Sequence, residues 1–315
     1  MKSASTKPRS DKKQSFVKLI QGDCAAVTAA MAKNSVGLVF GSPPYANQRR
    51  YESDERLFHD VYDWVNWTAH RFISCLRVCR GTVCFVVEGY LENGTFWPLP
   101  EMLTVELMRR GVNIRPRHIY KRYGTAGGSP DEFGQHHEII VRATSEPGRL
   151  VYAQPAAMGH PPKYKPGGAP TSRGKNDQRV NQDPCKCDKP RYTTKNVCLV
   201  CEKKKLQQYK PPKLCKHSNV IECGSVGGGN IGNKLAHDNE APFPEQLVLP
   251  YIASYLPPDG TVLDPFCGSG TTLDAALKLG RRAIGIDKRL SQIKLSQKRL
   301  QTSHPEATIH VESSN

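Results

Sequence analysis

The stretch Thr261-Val-Leu-Asp-Pro-Phe-Cys-Gly-Ser-Gly-Thr-Thr272 decides how the chain folds. A short apolar run ends in Asp264, turns through Pro265 and two glycines, and enters a helical pattern. Strand, tight loop and helix start follow one another without a gap. Gly268 and Gly270 permit backbone conformations and close approaches that a Cβ would block. A ligand can therefore lie against the main chain at the carboxyl end of the strand, where open α/β sheets bind ligands. Asp264 stands at that edge and Asp287 ends the next strand. An acid about 20 residues beyond a glycine loop holds ribose hydroxyls. The loop has neither a Walker lysine nor the third glycine of a dinucleotide fingerprint. A nucleoside-type ligand without phosphates fits it better than a pyrophosphate. Taken alone, the loop could equally be an ordinary strand-to-helix turn.

Working outward, strand-like runs occupy Phe16–Ile20, Val36–Phe40, Thr82–Val87, Asn113–Lys121, Glu138–Ala143 and Arg282–Ile286, with a last one at Ala307–Val311. Helical patterns occupy Ala25–Ala32, a long segment from Ser53 to Cys79, Glu101–Arg110, the segment from Pro242 to Tyr255, the segment running to Leu279, and Leu290–Leu300. Gly111 and Gly280 are helix stops. Trp64 and Trp67 keep helical spacing and read as packing residues. Strands alternating with helices indicate a largely parallel sheet covered on both faces. The pattern stops near Ser145 and returns near Pro242. Neither flanking part has enough strands for a sheet alone, so one sheet assembled from residues 16–145 and 240–315 is expected. Residues 146–239 are an excursion from it, and residues 1–15 a disordered basic arm.

The formal charge is +16, from 45 Lys and Arg against 29 Asp and Glu. Such a surplus points to a polyanionic partner, because neutralising phosphates drives nucleic-acid binding. No stretch approaches the roughly 18 apolar residues of a membrane span, and Met1–Gln14 has no apolar segment of a secretory signal. Eleven cysteines without an export signal indicate reduced thiols in an intracellular, cytoplasmic protein.

Ser42-Pro43-Pro44-Tyr45 follows directly on a strand. Two prolines remove two N–H donors and stiffen the backbone. Rigid carbonyl acceptors remain, with a hydroxyl before them and an aromatic ring after them. Such a loop can take both hydrogens of an exocyclic amine while the ring stacks on its base. The nitrogen then keeps an available lone pair and can attack an electrophilic carbon. No strong base is needed before attack, because the proton can leave afterwards.

Ser42–Tyr45 together with Asp264–Thr272 resembles the amino-methylating DNA methyltransferases that use S-adenosylmethionine. The order, catalytic motif first and cofactor motif last, is that of their permuted β group, the N4-cytosine and N6-adenine enzymes of restriction–modification systems. Gln21-Gly22-Asp23-Cys24 and Ala241-Pro242-Phe243-Pro244-Glu245 are similar to that group's flanking segments. The resemblance implies a Rossmann-like, mostly parallel seven-stranded sheet with helices on both faces. It places S-adenosylmethionine among Asp23, Cys24, Phe243, Asp264, Pro265, Phe266, Gly268, Ser269, Gly270, Thr271 and Asp287. Asp287 would hold the ribose hydroxyls and Asp23 the adenine amine. Ser42, Pro43, Pro44 and Tyr45 would form the catalytic loop, with Tyr45 stacked on a base flipped out of duplex DNA. In this family Ser at the first tetrapeptide position accompanies cytosine N4 more often than adenine N6 methylation, where Asp is usual. RNA methylation and an inactive nucleic-acid-binding scaffold are the alternatives, and the intact motifs speak against the second. A partner restriction endonuclease and a solitary enzyme are equally compatible, as are a monomer and a dimer.

The excursion carries Cys185, Cys187, Cys198 and Cys201, followed by Cys215, His217 and Cys223. Two close thiol pairs around a short basic loop match a four-thiolate structural zinc site, with Cys215 or His217 as possible substitutes. A metal would explain how so polar a segment folds. Lysines and arginines between Lys163 and Lys216, interleaved with Tyr164 and amides, suit a target-recognition region. Gly227–Asn230 reads as a flexible loop near the cleft.

Overall fold

The computed structural model describes residues 16–46, 58–92, 94–123, 136–148, 150–155, 157–161, 171–173, 179–181, 187–188, 193, 197–202, 212–224 and 242–314. The N-terminal arm, Ser53–Leu57, the glycine-rich stretch 124–134, Cys185, the loop 227–230 and most cations of the excursion lie outside the described residues. The strands in chain order are β1 (Phe16–Gln21), β2 (Val36–Gly41), β3 (Cys79–Val87), β4 (Tyr90–Glu92), β5 (Thr95–Trp97), β6 (Asn113–Tyr123), β7 (His137–Thr144), β8 (Thr171–Arg173), β9 (Arg179–Asn181), β10 (Val220–Gly224), β11 (Thr261–Asp264), β12 (Arg282–Asp287) and β13 (Thr308–Ser313). The helices are α1 (Cys24–Ala30), α2 (Val61–Val78), α3 (Leu99–Arg109), α4 (Glu245–Tyr255), α5 (Thr271–Lys278) and α6 (Leu290–Ser303).

The main sheet has nine strands in the order β10-β6-β7-β3-β2-β11-β12-β1-β13. The expected seven are therefore exceeded. β10 lies inside the polar span 146–239, yet its Val220 and Ile221 pair with Ile119 and Tyr120 of β6. β13 closes the other edge beside β1. Five residues of β10 in a polar neighbourhood are too short a signal to stand out from loop. Only β7 runs against its neighbours β3 and β6; the other pairs are parallel. β2 is buried along its whole length, as expected for a strand covered on both faces.

One face carries α2 and α3, with Trp64, Phe72, Phe85 and Leu103 at its core. The other carries α4, α5 and α6, with Phe40, Tyr251, Leu273 and Ile293. α2 begins at Val61 rather than near Ser53, because the Asp60 carboxylate accepts from Tyr62 N and Asp63 N and caps the helix there. Among the described residues no helix is long and apolar enough to cross a membrane.

The chain divides into two compact units, one of residues 1–158 with 217–315 and one of residues 159–216. The smaller unit contains the β8–β9 hairpin and a bridge between His160 and Cys215.

Candidate active site

Parallel strands end at a common edge, and the sheet order puts the two motifs side by side there. β11 pairs with β2, matching Val262 with Leu38 and Leu263 with Val39. Asp264 therefore emerges beside Gly41, the residue just before Ser42. The contact is close: a Cβ on Gly41 would sit 2.6 Å from Asp264 Oδ1. Asp287 ends β12 next door and pairs with Gln21 of β1, which leads into Asp23. Four of the anticipated positions thus share one edge: Asp23, Ser42, Asp264 and Asp287.

The glycine loop is held by its own acids. Phe266 N–H donates to Asp264 Oδ1 at 3.0 Å, and Gly268 N–H donates to Asp287 Oδ2 at 3.1 Å. Arg289 N–H donates to the other Asp287 oxygen at 2.9 Å. Gly270 caps α5 at φ 82°, in the left-handed region that favours glycine. Burial raises the Asp264 carboxyl to about 7 and also raises that of Asp287. Two buried acids around a glycine loop suit a ligand that brings hydroxyls and positive charge. These acceptors fit the hydroxyls and positive charge of S-adenosylmethionine; the loop carries no lysine or arginine for a phosphate.

Ser269 and Thr271 are tied to α6. Arg299 of α6 donates to the Ser269 carbonyl at 3.2 Å and to Thr271 Oγ1 at 3.0 Å. Ser296 donates to the Gly268 carbonyl at 2.6 Å. Arg299 is in turn paired with Asp274 at 3.0 Å, and His304 lies 2.6 Å from the same carboxylate. Pro265 lies under Gly41. Phe243 packs edge-on against Phe40, with ring centroids 5.6 Å apart.

Asp23 caps α1 by accepting from Ala25 N and Ala26 N, and pairs with Arg71 at 2.6 Å. Against the cost of burial, these partners hold its carboxyl below the usual carboxylate range. Cys24 is buried and its thiol is pushed up to about 12, so it is a packing group rather than a nucleophile. Arg71 lies over the Trp67 ring at 3.7 Å, and Trp67 stacks on Phe266 at 5.8 Å. A ladder Asp23–Arg71–Trp67–Phe266 thus connects α2 with the glycine loop. Sequence reading gave Trp67 only a packing role and passed over Arg71. Their spacing of four on one helix was the available signal.

In the loop that follows β2, Ser42 Oγ donates to the Val86 carbonyl at 3.2 Å. Trp64 Nε1 donates to the Pro44 carbonyl at 2.7 Å and fixes the double-proline turn from α2. Tyr45 is buried, and its hydroxyl donates to Glu138 Oε2 at 2.8 Å. Glu138 and Arg122 were also missed. An acid directly before the apolar run Ile139–Val141 was a visible anomaly.

In the smaller unit, Cys187, Cys198 and Cys201 bring their sulfurs within 4.8 Å of one another. Cys185 lies outside the described residues. Cys215 and His217 are not part of this group.

A family model described as DNA methylase, for the N6 and N4 methyltransferases, matches residues 36–298. The Type II methyltransferase M.HinfI of Haemophilus influenzae is 42% identical over 310 residues, covering 91% of this chain and 69% of its own. The solved PvuII DNA methyltransferase (cytosine-N4-specific) aligns with a TM-score of 0.62 at 13% identity, over 95% of each chain. TTHA0409 of Thermus thermophilus, a putative DNA modification methylase solved with S-adenosyl-L-methionine, aligns at 0.58 with 18% identity, over 94% of this chain and 99% of its own. The two structures share the fold, and the extent of the sequence matches settles the family: the chain belongs to the N6/N4 DNA methylases.

Proposed function

We propose that the protein transfers a methyl group from S-adenosylmethionine to the exocyclic amine of a base flipped from double-stranded DNA, and that the base is cytosine, methylated at N4. The observation that supports this best is the placement of Ser42–Tyr45 and Asp264–Gly270 at the ends of paired strands β2 and β11. Asp264, Phe266, Gly268 and Gly270 would hold the methionine part, Asp287 the ribose, and Asp23 and Phe243 the adenine side. Bound there, S-adenosylmethionine supplies an electrophilic methyl group. The chain's own task is to present a nucleophilic nitrogen. Ser42 Oγ, anchored on Val86, and the Pro43 carbonyl accept the two amine hydrogens. The turn that carries them is braced by Trp64, so the nitrogen loses its planar conjugation at little cost in loop entropy. Ser42, rather than an acid, at the first position favours cytosine over adenine.

Tritiated-methyl transfer with duplex DNA and RNA offered in parallel tests the substrate class. Label in DNA is expected, and label confined to RNA would overturn the reading. Tyr45→Ala should lower transfer strongly while calorimetric cofactor affinity stays near wild type. An equal loss of cofactor affinity would remove the stacking role.

The smaller unit carries a structural zinc in this reading. Tetrahedral Zn–S bonds of about 2.3 Å put sulfurs roughly 3.8 Å apart, and Cys187 and Cys198 stand 3.9 Å apart. Cys187, Cys198 and Cys201 supply three thiolates and Cys185 the fourth. Elemental analysis should find about one zinc per chain, lost in Cys198→Ser; a folded, metal-free wild type would refute it. With this metal, the excursion reads the target sequence. Restriction–modification relatives make a cognate endonuclease a natural partner.

A further inference from the structure

Arg142 of β7 is a buried guanidinium, 5% exposed. Its Nε has no hydrogen-bond partner, and among the described residues no carboxylate pairs with it. Nη1 lies 2.6 Å from His118 Nε2, and the guanidinium carbon sits 4.9 Å from the centre of the Tyr255 ring. A cation held by an imidazole and an aromatic face, with no opposite charge beside it, is costly to bury. An anion brought near it would offset that cost. Arginine offers donors only, so His118 Nε2 accepts and the ring proton sits on Nδ1. Burial and the neighbouring guanidinium push the His118 pKa down to about 3, which keeps the ring neutral. Nδ1–H then donates to Tyr251 Oη at 2.8 Å. The proton of Tyr251 itself is left over, with no acceptor for it among the described residues. The line from Arg142 through His118 to Tyr251 ends in a hydroxyl donor, and each bond polarises the next.

That line ends at a cavity of about 100 Å³ between β6, the start of β10 and α4, within the larger unit. His118 and Tyr251 both line it, so their bonded pair stands at its wall. The rest of the wall is mostly apolar, from Pro155, Ile221, Pro250 and the Tyr255 ring. Pro155 is held in place by its neighbours: Gln154 N–H donates to the Ser254 carbonyl at 2.7 Å, and His217 N–H to the Pro155 carbonyl at 2.9 Å. Ser218 and Asn219, also in the lining, are exposed and open the cavity to solvent. No lysine or arginine is among the lining residues.

We propose that this cavity binds a small monocarboxylate with a ring-sized apolar body, its carboxylate accepting from Tyr251 and its body lying against Pro155, Pro250, Ile221 and Tyr255. The size agrees, since a closed apolar cavity of roughly 150 Å³ takes a benzene ring and this one is open on one side. The charge agrees as well. One buried guanidinium matches one negative charge, delivered through a hydroxyl that His118 and Arg142 polarise. A phosphate dianion would want direct cationic contacts, which the wall does not offer. A neutral ligand would leave the Arg142 charge as it is. Arg142 and His118 act through Tyr251 and are positioning residues for this ligand. The inference does not rest on the methyl-transfer reading.

The test is titration of the full chain with benzoate, its neutral counterpart benzamide and inorganic phosphate, read by calorimetry and by ligand-observed NMR. S-adenosylmethionine is kept at saturation, so that the glycine-loop site does not take the probe. Benzoate should bind at a single site, at least about tenfold more tightly than benzamide or phosphate. Tyr251→Phe keeps the ring and removes the donor. It should weaken benzoate at least about tenfold while cofactor affinity stays at the wild-type value. Arg142→Met should erase the preference for benzoate over benzamide; where that variant does not fold, Tyr251→Phe and the three probes decide. Equal affinity of the wild type for benzoate and benzamide overturns the part given to Arg142. Tighter binding of phosphate than of benzoate overturns the ligand class. Undiminished benzoate binding by Tyr251→Phe places the probe elsewhere and overturns the site, as does the absence of benzoate binding up to about 10 mM.

Discussion

Asp264 is 1% exposed, and burial raises its carboxyl to about 7 from an ordinary value of 3.8. The fold therefore favours the protonated acid. Its contribution to stability is present in full below the ordinary carboxylate range and is lost as pH rises through about 7. A ligand that brings positive charge reverses this preference. Cofactor affinity by calorimetry should accordingly tighten from pH 6 to pH 8 (working values bracketing about one unit either side of the shifted pKa). Asp264→Asn should weaken binding and flatten the profile; a wild-type affinity that ignores pH would contradict the assignment. Asp264, Asp287 and Ser42 were legible in the sequence because each carries its chemistry inside the turn that exposes it. Glu138, Arg71 and Arg122 were not, because their partners lie on distant strands and helices that only the sheet order brings together.

At the scale of elements, the glycine loop is shaped as much by α6 as by its own residues. Gly270 has φ 82°, and a Cβ there would lie 2.9 Å from Ser296 Oγ. Gly270→Ala should cost about 1–2 kcal/mol from backbone strain alone, read as a lower denaturant midpoint together with weaker cofactor binding. Arg299 and Asp274 each have 3% exposed side chains. Arg299→Met would leave Asp274 buried with its guanidinium partner gone. A loss of about 3–5 kcal/mol in unfolding free energy is expected; a change under about 1 kcal/mol would mean the pair behaves like an exposed one. The strand–loop–helix unit could be read directly, since its apolar run, turn residues and helical spacing are contiguous. The α6 clamp could not: Ser296 and Arg299 look like solvent-facing polar residues in an amphipathic helix, and only their burial shows otherwise. α2 shows the opposite error, a helical pattern extended upstream of the Asp60 cap.

Across the whole molecule, two sequence-distant parts build one sheet, and the assembly was foreseeable because neither part has strands enough alone. The ninth strand was hidden by the polarity around Val220–Gly224. A net charge of +16 predicts steep salt dependence of DNA binding. With roughly six phosphates neutralised, affinity should fall about 10³-fold between about 50 and 200 mM salt; a flat response would remove the polyanion reading. The most direct measurement is mass spectrometry of nucleosides from duplex DNA incubated with the protein and S-adenosylmethionine. The predicted product is N4-methylcytosine; N6-methyladenine would contradict the role given to Ser42, and the absence of any methylated nucleoside would contradict the account as a whole.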